Sequence, residues 1–288
     1  MSTQTSALQF QAEALAARLP ALLVEADRVA STVALGVHGR RRAGPGESFW
    51  QFRRYQSGDP AALIDWRQSA RSDPLYVRET EWMSAQAVWL WSDGSASMRW
   101  RSRAELPEKR ERANLLALAL AALLVRGGER VGRLGADRAP AMGRAVLTRL
   151  ALELIAQEPG AGMPAATLPG WGHLVLISDF LMPAEAIVAA IAGWAGAGAR
   201  GHLLHILDPA EESLPYEGRT LFFGLEGEGN MLAPRAEALR EKYQAKLADH
   251  RATLAAAARS WGWGFDVHRT DTPPEPALLA LHQALEGR

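Results

Sequence analysis

The sequence predicts an α/β protein built on a doubly wound, mostly parallel sheet, preceded by a small N-terminal β-rich appendage. Two observations support this prediction. Short, nearly continuous apolar runs, such as residues 87–91 and 174–177, alternate along the chain with longer segments of helical periodicity. Strands that are apolar on both faces are typical of a parallel sheet covered by helices on its two sides. In such a fold we expect ligands at the carboxyl ends of the strands, where the strand order reverses.

The composition limits the chemistry that this chain can perform. Its 288 residues carry no net charge and no cysteine, which excludes disulfides, cysteine-ligated zinc, iron–sulfur clusters and thiol nucleophiles. A neutral chain also creates no global field that would attract nucleic acid or an anionic membrane. Residues 1–20 lack the pattern of a secretory leader, and the longest apolar run, at 115–125, is too short for a bilayer. These features predict a cytoplasmic protein without a membrane span.

Three segments are expected along the chain. Residues 7–30 have apolar side chains at alternating four- and three-residue steps, which predicts an amphipathic helix within an N-terminal segment covering residues 1–30. Residues 31–84 are rich in arginine, glycine and aromatic residues and contain several turn signals, so we interpret them as the appendage. The only helix expected there lies at 60–70. The sheet domain is expected over residues 85–288.

Within the sheet domain, apolar runs and helical patterns alternate, separated by turn residues. The segment 107–126, for example, has proline near its start and two glycines after its end, as a helix commonly does. The expected strands are 87–91, 131–134, 174–177, 202–207 and 265–269; the expected helices are 107–126, 144–157, 183–197, 234–261 and 275–285; and residues 218–227 are expected to form an edge hairpin.

An aspartate and two serines alternate directly after the first predicted strand of the sheet domain. Asp93, Ser95 and Ser97 take the first, third and fifth positions of a turn, so their oxygens could converge on one point. Mg²⁺ and Mn²⁺ favour such oxygen ligands and keep water or a partner's carboxylate in the remaining positions. Asp179 and Asp208 each follow another predicted strand and are expected at the same edge. The alternative is a turn whose polar side chains cap local backbone groups.

The loop Asp93-Gly94-Ser95-Ala96-Ser97 resembles the D-x-S-x-S element of von Willebrand factor A-type domains, which forms a metal-ion-dependent adhesion site. The resemblance implies that both serines coordinate the metal, that Asp93 and Asp179 ligate directly or through water, and that a partner's carboxylate completes the site. Such sites usually include a threonine from a second loop. The matching stretch, residues 135–144, has none, and Thr148 lies in a predicted helix. The predicted metal site is therefore Asp93, Ser95, Ser97 and Asp179.

Other segments resemble the bacterial domain-of-unknown-function family 58. They are Gly58-Asp59, Ile64-Asp65-Trp66 with Ala70-Arg71, and residues 207–215, and the resemblance extends over roughly residues 31–285. It implies an A-type fold that carries the appendage, without enzymatic activity. It also implies a functional link to a MoxR-type AAA+ ATPase, for which this chain would act as an adaptor or assembly cofactor.

Five residues of the appendage are candidates for an interdomain or docking role: Asp59, Asp65, Trp66, Arg67 and Arg71. We expect the aspartates and arginines to form a buried network, held by the tryptophan, that fixes the appendage to the sheet domain. The alternative is a partner-docking surface, in which an exposed tryptophan and arginine would be hot-spot residues.

Two other functions remain open from the sequence. A metal-dependent hydrolase or phosphatase could use the Asp93–Ser97 loop, but the loop lacks the G-x-S-x-G elbow, and Ser95 stands where a phosphatase with an aspartate nucleophile needs an acid. Arg40, Arg41 and Arg42 could contact nucleic acid, but no nucleic-acid-binding motif accompanies them. The favoured interpretation is a non-catalytic module with a predicted magnesium site that binds other proteins and no nucleic acid.

Overall fold

The computed structural model describes residues 20–34, 49–56, 59–60, 62, 64–71, 74–80, 86–157, 160, 162–164 and 172–286. These residues belong to two compact units, one within residues 36–85 and the other combining residues 20–34 with those from 86 onward. The predicted N-terminal helix is seen as helix α1, which is described over residues 20–34. Residues 7–19 and the three arginines at 40–42 lie outside the described residues.

Among the described residues of the smaller unit are an antiparallel pair of strands and one short helix. Strand β1 (Phe49–Arg54) pairs with strand β2 (Tyr76–Thr80), and helix α2 (Trp66–Ser69) lies between them in sequence. The helix expected over residues 60–70 is therefore much shorter in the structure.

The larger unit contains the remaining strands and helices. The strands are β3 (Ala87–Ser92), β4 (Arg130–Arg133), β5 (His173–Ser178), β6 (Arg200–Leu207), β7 (Thr220–Phe223), β8 (Asn230–Ala233) and β9 (Gly264–Arg269). The helices are α3 (Lys109–Arg126), α4 (Arg144–Ile155), α5 (Ala184–Gly196), α6 (Pro209–Ser213), α7 (Arg240–Ser260) and α8 (Glu275–Glu286).

Five of these strands form a parallel sheet flanked by helices, which confirms the predicted α/β class. Their order is β4-β3-β5-β6-β9, and every neighbouring pair is parallel. The chain runs from β3 outward to β4 and then returns to β5 on the other side of β3. The strand order therefore reverses between β3 and β5, and the cleft at their carboxyl ends is where this fold class binds ligands.

The hairpin prediction was wrong in its extent and its place. Strands β7 and β8 form a separate two-stranded antiparallel sheet over residues 220–233, instead of an edge hairpin at 218–227. Helix α7 begins at Arg240 and not at 234, because residues Ala236–Leu239 form a 3₁₀ turn.

Within the part of the chain that the structure describes, no helix combines the length and apolarity needed to cross a bilayer.

Helix α1 packs within the larger unit, although the smaller unit separates it from β3 in sequence. Its side chains Ala26, Val29 and Ala30 are buried. Asp27 forms an ion pair with Arg126 at the end of α3, and the side chains of Arg28 and Glu275 of α8 approach to 3.9 Å. The first helix is thus held by elements that come much later in the chain.

Candidate functional site

The predicted residues Asp93, Ser95 and Ser97 lie together in a buried loop directly after β3. The Asp93 backbone N–H donates to Ile177 O on β5 at 2.9 Å, so the loop leaves the sheet between β3 and β5. Ser97 begins a 3₁₀ turn that ends at Arg99. The hydroxyl oxygens of Ser95 and Ser97 are 3.1 Å apart. The alternating spacing therefore does bring these polar groups to one point at the sheet edge.

Both carboxylate oxygens of Asp93 are engaged by hydrogen bonds within the protein. The Ser178 hydroxyl donates to Oδ2 at 2.6 Å, and the Ser95 backbone N–H donates to Oδ1 at 2.8 Å. Burial raises the pKa of the Asp93 carboxyl above its ordinary value; the bonds from Ser178 and Ser95 oppose this shift, and the charge of Asp179 adds to it. Asp93 thus ties the loop to the end of β5.

Asp179 follows β5 and pairs with a lysine that the sequence analysis did not single out. Lys109, at the start of α3, is 0% exposed, and its ammonium donates to Asp179 Oδ2 at 2.8 Å and to Glu211 Oε1. Burial alone would lower the pKa of Lys109, but the charges of Asp179 and Glu211 raise it above its ordinary value. The ammonium therefore stays charged between two carboxylates.

Asp208 also reaches this edge, where it has a structural role. Its side chain caps α6 by accepting from Ala210 N at 2.8 Å, and it accepts from Ser102 N at 2.9 Å. In turn, Oε2 of Glu211 accepts a hydrogen bond from the Asp208 backbone N–H at 2.9 Å, which completes a capping box. The two oxygens of Glu211 thus connect α6 to Lys109.

The hairpin β7–β8 reaches the same loop with a carboxylate and carries exposed apolar side chains. Glu226, between its two strands, accepts a hydrogen bond from the Ser97 backbone N–H at 3.3 Å. Phe223 is 65% exposed. Other large apolar side chains of the hairpin are also exposed, namely Leu221, Leu225, Met231 and Leu232. The hairpin that contacts the Ser97 backbone therefore also presents exposed apolar side chains to solvent.

A neutral histidine is buried close to Asp179 and Lys109. The ring of His205, on β6, packs edge-on against Phe180 and Phe265 with centroids 6.0 and 6.1 Å away. Among the described residues, neither ring nitrogen has a hydrogen-bond partner. Burial lowers the pKa of His205 from 6.5 to about 3; the charge of Arg251 adds to this shift, and that of Asp179 opposes it.

This histidine makes stability depend on pH. The unfolded chain takes up a proton at His205 below about pH 6.5, whereas the folded chain resists it until about pH 3, so stability falls as pH decreases through this window. The expected loss is about 1.4 kcal/mol per pH unit, or about 2 kcal/mol between pH 6.5 and 5. Urea denaturation at both pH values should show a loss larger by this amount in wild type than in His205→Phe, because buried His268, whose pKa is lowered to about 4, contributes equally to both proteins. Equal losses in both proteins would contradict the assignment to His205.

The predicted metal ligands fit a divalent cation only in part. Octahedral Mg²⁺ holds oxygens at about 2.1 Å, so adjacent ligands lie about 3.0 Å apart, and the serine hydroxyls, 3.1 Å apart, match this. However, both oxygens of Asp93 already accept hydrogen bonds, and Asp179 is paired with the Lys109 ammonium. The described residues contain no group of three or more histidine, aspartate or glutamate side chains that could hold a metal. The two serines therefore have the spacing of metal ligands, whereas Asp93 and Asp179 are engaged elsewhere, and the four residues together do not form a complete site for Mg²⁺ or Mn²⁺.

The candidate residues of the appendage are described within the smaller unit only. Asp59 accepts two hydrogen bonds from the Arg53 guanidinium, each 3.0 Å long, and these hold the pKa of Asp59 below its ordinary value. Asp65 caps α2 by accepting from Gln68 N at 2.9 Å. Trp66 is 65% exposed, and Arg67 and Arg71 are exposed as well. Asp59 thus pairs with an arginine that the prediction did not include, and the exposed side chains match the docking alternative.

Sequence reasoning missed Lys109, Ser178, Glu211 and Glu226. One signal pointed to the lysine: the chain has 29 arginines and only three lysines. The lysine at the start of α3 is therefore an unusual choice in this sequence. Nothing in the local pattern identified the serine or the glutamates, because their partners come from distant strands and loops.

Comparison with known proteins gives a family and uncharacterized relatives. A family model described as "Protein of unknown function DUF58" matches residues 51–253. The uncharacterized proteins Mb1516 of Mycobacterium bovis and Rv1480 of Mycobacterium tuberculosis are 31% identical over 301 residues, covering 93% of this chain and 92% of each relative.

Two solved structures are also similar to this chain. BatB from Bacteroides thetaiotaomicron is 18% identical with a TM-score of 0.44, over 70% of this chain and 98% of that one. An aerotolerance-related membrane protein from Bacteroides fragilis is 19% identical with a TM-score of 0.42, over 71% of this chain and 100% of that one.

Proposed function

This chain belongs to the DUF58 family of proteins of unknown function, and from that premise we propose that it is a non-catalytic protein-interaction module. Its docking surface is the carboxyl edge of the sheet around Ser95 and Ser97 together with the exposed hairpin β7–β8. The observation that carries this proposal is the meeting of these two features, since Glu226 of the hairpin contacts the Ser97 backbone. Exposed apolar side chains therefore border a polar edge.

The contact of Glu226 indicates what the partner presents. A carboxylate already accepts from the Ser97 N–H, beside the two serine hydroxyls, which hydrogen-bond to each other. An aspartate or glutamate of a partner could take the place of Glu226, while apolar side chains of the partner cover Phe223 and its neighbours. Such a pairing combines a buried apolar anchor with a polar contact that fixes orientation.

The finer fold and the partner form part of the same proposal. The D-x-S-x-S loop at the switch point of a parallel sheet supports a von Willebrand factor A-like domain. The family resemblance supports a MoxR-type AAA+ ATPase as the partner, for which this chain acts in the cytoplasm as an adaptor or assembly cofactor. That link rests on analogy between family members.

A hydrolase or phosphatase is the second candidate, and the geometry favours it less. Within the described residues, the hydrogen bonds of Ser95 and Ser97 involve each other, Asp93 and Glu226, and no histidine. A serine nucleophile needs a base within hydrogen-bond reach. Asp93 is equally unsuited to attack, because both of its oxygens are engaged.

The proposal is tested by binding to a purified partner. Affinity capture with the tagged full chain from its host should enrich an AAA+ ATPase, whose affinity is then measured with the purified proteins. Phe223→Ser and the double variant Ser95→Ala/Ser97→Ala should each raise the dissociation constant about tenfold or more. Trp261→Ser is the control. Trp261 is also exposed, at 47%, but it precedes β9 and so lies at the amino ends of the strands, opposite the proposed docking surface. This variant should bind the partner as wild type does. The proposal is wrong if no such ATPase is enriched, or if all variants bind equally.

A further inference from the structure

We propose that Lys109 is the resident cation of this sheet edge, where its ammonium compensates the charges of Asp179 and Glu211 in place of a divalent metal ion. The carboxyl edge is then complete without a metal, and the carboxylates of Asp179 and Glu211 become available to a metal only when the ammonium is removed. The Asp93–Ser97 loop carries the spacing of a metal site, but the predicted ligand Asp179 is already paired with the ammonium.

The surroundings of the ammonium are those of a bound ion. Lys109 is 0% exposed, and the side chain of Asp179 is 2% exposed. The ammonium contacts one carboxylate from the end of β5 and another from α6, and its remaining side faces the Trp100 ring, whose centroid is 6.0 Å away. A cation at this point therefore joins three separate segments of the edge, as a metal ion does. An ammonium group is a compact charge with three donors, whereas a guanidinium group is larger and planar.

The composition supports a specific need for lysine at this position. Arginine outnumbers lysine 29 to three in this chain. The other two lysines, Lys242 and Lys246, are exposed on α7. The fully buried cation is thus a lysine in a chain that uses arginine almost everywhere else. This choice fits a space that accepts a small, nearly spherical charge.

Removing the ammonium should uncover a latent metal site. Without Lys109, the carboxylates of Asp179 and Glu211 would face each other with no compensating charge. Carboxylates and hydroxyls are ligands that Mn²⁺ and Mg²⁺ accept. A divalent ion held by these two carboxylates could then restore the charge balance.

The test measures Mn²⁺ binding by calorimetry and thermal unfolding of the purified full chain, with Mn²⁺ or with chelator. Wild type should show no saturable Mn²⁺ binding and the same unfolding midpoint in both conditions. Lys109→Met should bind Mn²⁺, and its midpoint should rise by roughly 5–10 °C at a hundredfold excess over the dissociation constant. The same change at exposed Lys246 is the matched control and should behave as wild type. Adding Asp179→Asn to Lys109→Met should abolish the gain.

Two results would overturn the proposal: saturable Mn²⁺ binding by wild type that Ser95→Ala/Ser97→Ala removes, or a folded Lys109→Met chain that does not bind Mn²⁺. If Lys109→Met and Lys109→Gln fail to fold in chelator, refolding with Mn²⁺ decides: recovery of native circular dichroism supports the proposal, and no recovery contradicts it. Because these readouts use only this chain and a metal ion, they are independent of whether the proposed ATPase partner is correct.

Discussion

Replacing Lys109 by alanine is expected to lower the free energy of unfolding by about 3–5 kcal/mol. The lysine is fully buried and pairs with Asp179 and Glu211. Breaking a buried ion pair from one side leaves its partners without compensation in a region that water cannot reach, and this is far more costly than losing an exposed pair. Urea denaturation at neutral pH, in chelator, measures the loss.

Two further variants separate charge compensation from simple loss of packing. The double variant Lys109→Ala/Asp179→Asn removes one of the uncompensated charges, so it should recover part of the lost stability. Lys246→Ala, on the exposed side of α7, should change stability by no more than about 0.5 kcal/mol. If the double variant is as unstable as the sum of its single variants, the ion pair does not explain the loss.

Replacing Trp263 by alanine should also destabilise the protein by about 3–5 kcal/mol. Trp263 is 2% exposed, belongs to the apolar core around β5 and β6, and donates from Nε1 to Ala199 O at 3.1 Å. Its ring lies so close to Gly201 that a Cβ atom there would overlap with it. Trp263→Ala would leave a cavity the size of the indole ring between the strands and helices, and this cavity cannot close without movement of the sheet.

The neighbouring tryptophan provides the control for this prediction. Trp261 is two residues away and 47% exposed, so Trp261→Ala should change the free energy of unfolding by about 0.5 kcal/mol or less. Trp263→Phe keeps most of the apolar volume and should lose clearly less than the alanine variant. Equal losses at positions 261 and 263 would show that the ring at 263 does not fill the core as described.

The sheet was predictable because its signals are local. The apolar runs before Asp93 and Asp179 are bounded by turn residues, and strands β3 and β5 end within a residue or two of the predicted limits. The rule that carboxyl ends of parallel strands share one edge then placed both aspartates correctly at that edge. The start of α7 was missed because the 3₁₀ turn at 236–239 has the same apolar spacing as a helix over so few residues.

The chemistry of the edge was less predictable, because it depends on which side chains turn inward. The sequence placed Lys109 on a helix but did not indicate that its ammonium reaches Asp179, 70 residues away in the chain. Likewise, Glu211 was read as part of a family segment and not as a partner of the lysine. Long-range pairs of charged residues leave no periodic pattern in one sequence, so only the rarity of lysine pointed to this one.

The position of helix α1 has a consequence for the order in which the protein folds. Residues 20–34 precede α3 and α8 in the chain, but Asp27 pairs with Arg126 of α3 and Arg28 approaches Glu275 of α8. Helix α1, with its buried side chains Ala26, Val29 and Ala30, therefore cannot complete its packing until α3 and α8 have been synthesised. During that interval the nascent helix has an apolar face that a chaperone could bind, and its docking is expected to be among the final steps of folding.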